Sequence, residues 1–494
     1  MVNGYQRLWT DAAKTNDEAK VVQILTEILT DKEGRSFILN LDRKKAKLCI
    51  EILDRGIANH DLKMVERQRF FAALKGLAAR HGRLPGSMMI TGKVRVEPEV
   101  LASGGFADVR RGTYRGHGVA VKALRVALKD DISKIRKQFC EEVVFWSTLS
   151  HPNVLKLAGV QGNMDTRQFI TISEWMKHGN VMEYIEKHPV NRLELLYGAA
   201  LGLEYLHGAK LTHGDLKGAN ILMSNDTPPR ACLADFGFMK MVLDPDNPMS
   251  CSSHLDGGTL VFMSPELLAP QKFGINHQRP TPQSDVYAFG LVIFQVITGE
   301  LPFRGFGPTG HIYPVIEGKR PDKPDNAPAI GFSDPLWAFT QRCWHADMKE
   351  RPQVAEVVEH LGQASAEWNG VMAPHVKAER VVTDSQEPPS DTMKHREIFN
   401  QCTNIAQGTA TGSRATSAIF SHRDPPSTQF TAVSQELHVN APEIKPPPEL
   451  ADEPFYPHLN QRYNPPLSLL PRKKWISFRS LKQKFRKFFG LVEE

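Results

Sequence analysis

The sequence predicts an α+β fold of two lobes, a β-rich one followed by a larger helical one, with a cleft between them. A small helical bundle precedes the lobes and a disordered tail follows them. Three observations carry this expectation. Short alternating runs of β type begin at about residue 96 (Phe106 to Tyr114, His117 to Leu124, Phe169 to Glu174). Helical patterning takes over from about residue 190, and ordered apolar periodicity ceases near residue 363.

In residues 1–95, Val21, Val22, Leu25, Ile28 and Leu29 recur at helical spacing, as do Leu48 with Ile52 and Phe70, Phe71, Leu74 and Leu77. Breaks at Asp31 to Gly34, Gly56 to His60 and Gly82 to Gly86 divide the segment into about three helices. Such a bundle serves either as a regulatory or docking module or as a helical extension packed on the lobes.

The β-rich region opens with a small-residue turn, Leu101-Ala102-Ser103-Gly104-Gly105-Phe106-Ala107-Asp108-Val109. Set against the phosphate-loop pattern G-x-G-x-x-G-x-V, it has Ala102 and Ala107 at the first and third glycine and Gly104 in register, with Gly105 beside it. In the strand GVAVKAL that follows, Ala120 and Lys122 share one face and Val119 and Val121 the other. If the first face lines the cleft, Ala120 admits a flat ring and Lys122 reaches phosphate. Further on, Ile135, Phe139, Trp146 and Leu149 form one helical face, and at about 100° per residue Glu142 lands within it while Glu141 points away. A carboxylate on a buried face calls for a cation, and Lys122 is the candidate.

In the helical region, LTHGDLKGANIL (Leu211 to Leu222) places Asp215 and Asn220 five residues apart with Lys217 between them, and Asp235-Phe236-Gly237 follows fifteen residues later. An Asp can orient a hydroxyl nucleophile or accept its proton. A Lys offsets charge on a transferring phosphoryl group, and Asn with a second Asp supplies hard oxygen ligands for magnesium. The longest apolar run, Val286 to Thr298, is too short to span a bilayer and reads as a buried core helix.

The order of motifs is specific. After LASGGFADV, VAVK and the helix Glu come HPNVLKLAG, ISEWMKHGN, GLEYLH, HGDLKGAN, ADFG, GTLVFMSPE, SDVYAFG, TGELPF and CWHADMKERP. From 96 to 363 the chain resembles a protein kinase, most similar to the tyrosine-kinase-like group of Ser/Thr kinases. The resemblance implies the bilobal kinase fold, ATP and Mg2+ as cofactors, a protein substrate and a place in signal transduction. It implies Asp215 as catalytic base, Lys217 beside the transferred group, Lys122 and Glu142 as the pair at the α and β phosphates, and Asn220 and Asp235 as magnesium ligands. By the same resemblance Leu101, Ala102, Gly104 and Gly105 form the loop over ATP, and Ser173 is the gatekeeper. Glu174 and Met176 then form the hinge that hydrogen-bonds adenine, and Val109, Ala120 and Leu222 sandwich its ring. Ser264-Pro265-Glu266 replaces the usual Ala-Pro-Glu; the Glu266–Arg351 pair and Asp285 are structural.

Lys217 and Gly258-Thr259 point to Ser/Thr rather than Tyr acceptors, with dual or tyrosine specificity left open. Gly214 departs from the pattern, standing where most kinases have Arg, which makes this a non-RD sequence. With no guanidinium to pair with an activation-loop phosphate, activity is expected not to depend strongly on phosphorylation of Ser250, Ser252, Ser253 or Thr259. Replacing all four with Ala is expected to leave most of it. The altered glycine loop and Gly214 keep a nucleotide-binding pseudokinase scaffold as the alternative.

Composition limits the remaining classes. Six cysteines without a CxxC pair indicate neither a zinc site nor a disulfide framework, and a reducing, cytoplasmic setting is expected. The N-terminus MVNGYQRLWTDAAKTNDEAK has no signal-type apolar core and no Gly at position 2. Residues 364–470, with Ser/Thr-rich (Thr409 to Ser421) and Pro-rich (Pro446-Pro447-Pro448, Pro465-Pro466) stretches, read as a disordered linker. In residues 471–494, eight Lys or Arg against two Glu match the whole net charge of +6. There Trp475, Phe478, Leu481, Phe485 and Phe488 step by 3, 3, 4 and 3, the pattern of a basic amphipathic helix. Its partner is an anionic membrane surface, which would make the protein peripheral, a calmodulin-like protein, or its own kinase domain. Nucleic acid is not expected, because the basic charge is confined to one short segment.

Overall fold

The structure is a computed structural model and describes residues 4–8, 17–58, 62–103, 107–126, 131–162, 166–236, 257–275, 279–306 and 309–368. Gly104, Gly105, Ser250, Ser252, Ser253, most of the expected linker and the basic C-terminal helix lie outside the described residues.

Four helices occupy 18–81 where about three were expected: α1 (Glu18–Ile28), α2 (Lys32–Leu39), α3 (Arg43–Ala58) and α4 (Met64–His81). Asp17 and Asp31 cap α1 and α2, accepting from the backbone N–H of Ala19 and Gly34. The expected break at Asp31 to Gly34 is therefore a helix start, with Gly34 inside α2. Gly56 likewise lies within α3 rather than ending it. A Cβ there would stand 2.5 Å from the Phe70 ring, so this glycine serves close packing and not a turn. From sequence alone the two uses look the same.

The helices pack on the lobes as an extension. Phe70, Phe71, Leu74 and Leu77 of α4 join Ile135, Phe139 and Val143 of α5 (Ile132–Trp146) in one core. Beside them an antiparallel sheet is built from β1 (Arg95–Val96), β2 (Ala102–Ser103), β3 (Ala107–Tyr114), β4 (His117–Leu124), β5 (Leu157–Gln161) and β6 (Ile170–Glu174). Its order is β1-β3-β4-β6-β5, with β2 pairing β3. The register sets Val109 and Thr171 on either side of Lys122, and Ser173 opposite Ala120. Val119, Val121 and Ile172 bury the opposite face against Ile90, Val94 and Tyr114. Strand alternation then turns Ala120 and Lys122 to the other face together, as the sequence predicts, with Ser173 beside Ala120.

The helical lobe contains α6 (Val181–Lys187), α7 (Arg192–Gly208), the hairpin β7 (Ile221–Met223) and β8 (Ala231–Leu233), α8 (Pro282–Thr298), α9 (Asp334–Cys343) and α10 (Val354–Glu367). Helix α8 contains the apolar run and is buried along nearly its whole length. Thr281 and Ser284 form its capping box. At its other end the buried Arg192 guanidinium donates to the carbonyls of Val296 and Ile297 at 3.3 and 2.8 Å, satisfying groups a helix end leaves open. The expected pair is present, with Arg351 forked onto Glu266 at 2.7 and 2.8 Å. Helix α10 runs to Glu367, with Val357 and Leu361 burying its inner face in the core. Among the described residues no helix is long and apolar enough to cross a membrane.

Candidate active site

The β7–β8 hairpin brings the two acidic motifs together, with the Ala234 N–H donating to the Asn220 carbonyl at 2.9 Å. The Asn220 amide in turn donates to the Asp215 carbonyl and to its Oδ2, at 2.7 and 2.9 Å. Lys217 Nζ lies 3.1 Å from the same Oδ2 and donates to Thr259 Oγ1 at 2.7 Å. Asp215, Lys217 and Asn220, read as one motif in the sequence, are thus one hydrogen-bonded cluster.

Thr259 is buried in this contact, which alters one expectation. An alanine there removes one of the two partners named for Lys217, so replacing all four hydroxyl residues would disturb the site without any phosphate being involved. Substituting only Ser250, Ser252 and Ser253 separates the two effects.

The loop carrying Asp215 hangs on Asp285 in the first turn of α8. Its carboxylate accepts from the backbone N–H of His213 and Gly214 at 2.7 and 2.8 Å and lies 2.8 Å from His207 Nε2. Gly214 is held there at φ 81°, a left-handed conformation that other residues adopt at a cost. The glycine therefore has a backbone reason besides the missing guanidinium. Gly214→Ala is expected to lower stability by about 1 kcal/mol; a urea midpoint no lower than wild type would show that the loop relaxes freely.

Across the cleft, Lys122 Nζ lies 2.7 Å from Asp235 Oδ1, an ion pair the sequence did not suggest. Burial works against the Asp235 charge, but the Lys122 ammonium outweighs it, with His213 and Lys217 adding to the effect, and the carboxyl sits below its ordinary range. Asp235 also has φ 60°, sparsely populated for a residue with a side chain and tolerated best by Asp and Asn. Glu142 lies on α5 with both carboxylate oxygens shielded from solvent, as its place in the apolar stripe predicts. One turn on, Trp146 meets Phe236 edge to face at 5.6 Å, and Phe236 meets His213 at 6.2 Å. This aromatic column joins α5 to both acidic motifs and was not anticipated, since no periodicity relates the three positions.

The far end of the cleft is framed by the sheet and by the connection after β6. Ser173 is buried opposite Ala120, and Val109, Ala120, Met176 and Leu222 are half-buried. Leu101 is exposed, with its N–H donating to the Val109 carbonyl at 3.0 Å, and Ala102 pairs with Val109. Glu174 ends β6, pairing with Val119.

Sequence reasoning missed Asn225. From the β7–β8 turn its amide donates to Glu174 Oε1 at 2.9 Å and to the Trp175 carbonyl at 2.8 Å, and its Oδ1 accepts from Lys177 N at 3.0 Å. The side chain thereby fixes the peptide orientations of 174–177; an Asn in a polar turn carries no signal that would have revealed this. Asn225→Asp keeps the acceptor but sets a carboxylate against Glu174, and is expected to raise KM for ATP about tenfold with little change in kcat. That corresponds to the loss of roughly one charge-assisted hydrogen bond. Steady-state kinetics at varied ATP checks this, and an unchanged KM would mean that the clamp does not govern nucleotide binding.

The arrangement gathers two ammonium groups, two carboxylates and an amide oxygen, groups whose chemistry suits phosphate and a hard metal ion. A model of the family described as protein tyrosine and serine/threonine kinase matches residues 96–361. Serine/threonine-protein kinase STY46 of Arabidopsis thaliana is 30% identical over 273 residues, which are 54% of this chain and 44% of that protein. Serine/threonine/tyrosine-protein kinase HT1 of the same plant is 29% identical over 268 residues, 52% of this chain and 63% of that protein. Serine/threonine-protein kinase VIK, also from Arabidopsis thaliana, is 26% identical over 268 residues, 53% and 58% respectively. The chain spans about half the length of the curated relatives it matches.

Proposed function

The chain belongs to the protein tyrosine and serine/threonine kinase family, and from that premise we propose that it transfers the γ-phosphoryl group of ATP to Ser or Thr hydroxyls of protein substrates. The observation that carries this reading is the cluster in which Lys217 bridges Asp215 and Thr259 while Asn220 holds Asp215 from the other side.

In this reading the adenine end of the cleft, framed by Val109, Ala120, Ser173 and Leu222 with Glu174 and Met176 at its edge, binds the flat ring. Leu101, Ala102, Gly104 and Gly105 close over the phosphates. Lys122 holds the α and β phosphates, backed by Glu142. The donor set suits magnesium: Asn220 turns its amide hydrogens to Asp215, leaving Oδ1 to ligate, and the depressed pKa of Asp235 keeps its carboxylate available. Magnesium held there would offset the charge on the β and γ phosphates.

Asp215 orients the acceptor hydroxyl and takes its proton as the hydroxyl oxygen bonds to the γ phosphorus. The bond from the γ phosphorus to the bridging oxygen breaks, and ADP leaves with that electron pair. Lys217 lies where negative charge collects on the transferring group. Its contact with Thr259 supports Ser/Thr acceptors, as do the relatives' names, though HT1 is named for tyrosine as well.

Labelled Mg-ATP offered with a peptide array bearing Ser, Thr and Tyr acceptors tests the proposal. Label on Ser and Thr peptides is expected. Label confined to Tyr peptides would overturn the acceptor class, and nucleotide binding without any transfer would replace the enzyme with a scaffold.

A further inference from the structure

We propose that the N-terminal helices are the positioning element of the active site, with α4 holding α5 and α5 in turn setting the phosphate-binding residues. The inference rests on the kinase reading above and extends it to how that site is kept assembled.

Helix α5 is gripped from outside. Phe71 of α4, fully buried, meets Phe145 of α5 edge to face at 5.9 Å, and Arg136 of α5 lies against Gly82, just past the end of α4. Ile135, Phe139, Cys140, Val143 and Val144 are all buried in the core that α4 shares. Without α4 this part of α5 would present its apolar side chains to water, and its present orientation would lose the burial that favours it.

The grip extends past α4. Ile90 N donates to the Val160 carbonyl at 2.8 Å, Met89 bridges Val160 in parallel, and Tyr114 Oη donates to the Thr91 carbonyl at 2.9 Å. Gly86 N donates to Glu51 Oε1 at 2.9 Å, tying this connection back to α3. The extension is therefore fastened both to α5 and to the sheet that carries Lys122, so it fixes one relative to the other.

The inner side of α5 carries the consequence. Glu142 faces inward, and Trp146 meets Phe236, the neighbour of Asp235, edge to face. A tilt of α5 would move Trp146 against Phe236 and with it the carboxylate that Lys122 contacts at 2.7 Å. Gly214 removes the guanidinium through which a phosphate could order this region from the other lobe. The extension supplies that order permanently from within the chain.

The test uses the full chain and four variants: Phe71→Ala, Phe71→Leu, Phe145→Leu and, as a control for general destabilisation, Leu361→Ala in α10. Phosphoryl transfer is measured alongside amide hydrogen exchange in α5 and α8. Phe71→Ala is expected to lower kcat about 10- to 100-fold, the cost of displacing catalytic groups by roughly 1 Å, with faster exchange in α5 and none in α8. Phe71→Leu should lower kcat less than Phe71→Ala does, in step with a smaller loss of α5 protection, and Leu361→Ala should leave kcat at the wild-type value. Faster α5 exchange with unchanged kcat would overturn the inference.

If Phe71→Ala unfolds throughout, so that α8 also exchanges, the two Leu variants decide. Their kcat must fall in step with α5 protection, and a constant kcat rejects the idea. Absence of transfer by the wild type would defeat the kinase reading instead. In that event Mg-ATP must still protect α5 and α4 together in the wild type and lose that effect in Phe71→Leu, and no shared protection refutes the positioning role.

Discussion

Asp215→Asn is expected to lower kcat for phosphoryl transfer by about 10²- to 10⁴-fold, the range general-base groups contribute, while leaving KM for ATP near the wild-type value. The substituted amide has the same shape as the carboxylate. Its oxygen can still accept from Asn220 and Lys217, which now reach Oδ2 at 2.9 and 3.1 Å, so the loop should keep its form. What is lost is the charge and the ability to take a proton from the acceptor hydroxyl. Nucleotide affinity should survive because the substitution leaves the Lys122–Asp235 contact and the residues framing the proposed adenine site unchanged. Single-turnover transfer measured beside nucleotide binding checks both halves, and equal rates for variant and wild type would exclude Asp215 as the base.

The second large effect concerns stability. Arg351→Met is expected to destabilise the fold by about 3–5 kcal/mol, the usual consequence of leaving one member of a buried ion pair without its partner. Arg351 donates to Glu266 at 2.7 and 2.8 Å, to the His345 carbonyl at 2.9 Å and to the Gln283 carbonyl at 3.1 Å. Its guanidinium also lies 5.0 Å from the Tyr287 ring centroid. Arg351→Lys keeps the charge but not the planar fork, and should recover only part of the loss. The double variant Glu266→Leu, Arg351→Met removes both charges and should be more stable than Arg351→Met alone, since no carboxylate is then stranded. Urea titration gives the answer as a lower midpoint at unchanged slope. A midpoint for Arg351→Met equal to wild type would mean that Glu266 finds water or another cation.

Local patterns in the chain proved most legible where one element supplies the whole signal. The alternation around Lys122, the helical stripe containing Glu142 and the spacing of Asp215, Lys217 and Asn220 each depend on a period or a short separation; the first two show in the burial of their elements and the third as one hydrogen-bonded cluster. The cases read less well are those where one residue type has two uses. Gly34 and Gly56 looked like helix breaks, yet one sits behind a cap and the other makes room for Phe70. Gly214 was visible as a missing guanidinium, while its φ of 81° was not.

The sequence by itself determined the order of the main elements and the family, because these are written in local periodicity and in motifs spanning a few positions. Only the tertiary structure decided which distant groups meet. Lys122 with Asp235, Lys217 with Thr259, Asn225 with Trp175 and Phe71 with Phe145 are contacts across 113, 42, 50 and 74 residues. Contacts at such separations arise from burial and close packing of whole elements, which reward many side-chain combinations about equally. No local pattern therefore records them, and the docking of the N-terminal helices on α5 belongs to that second kind.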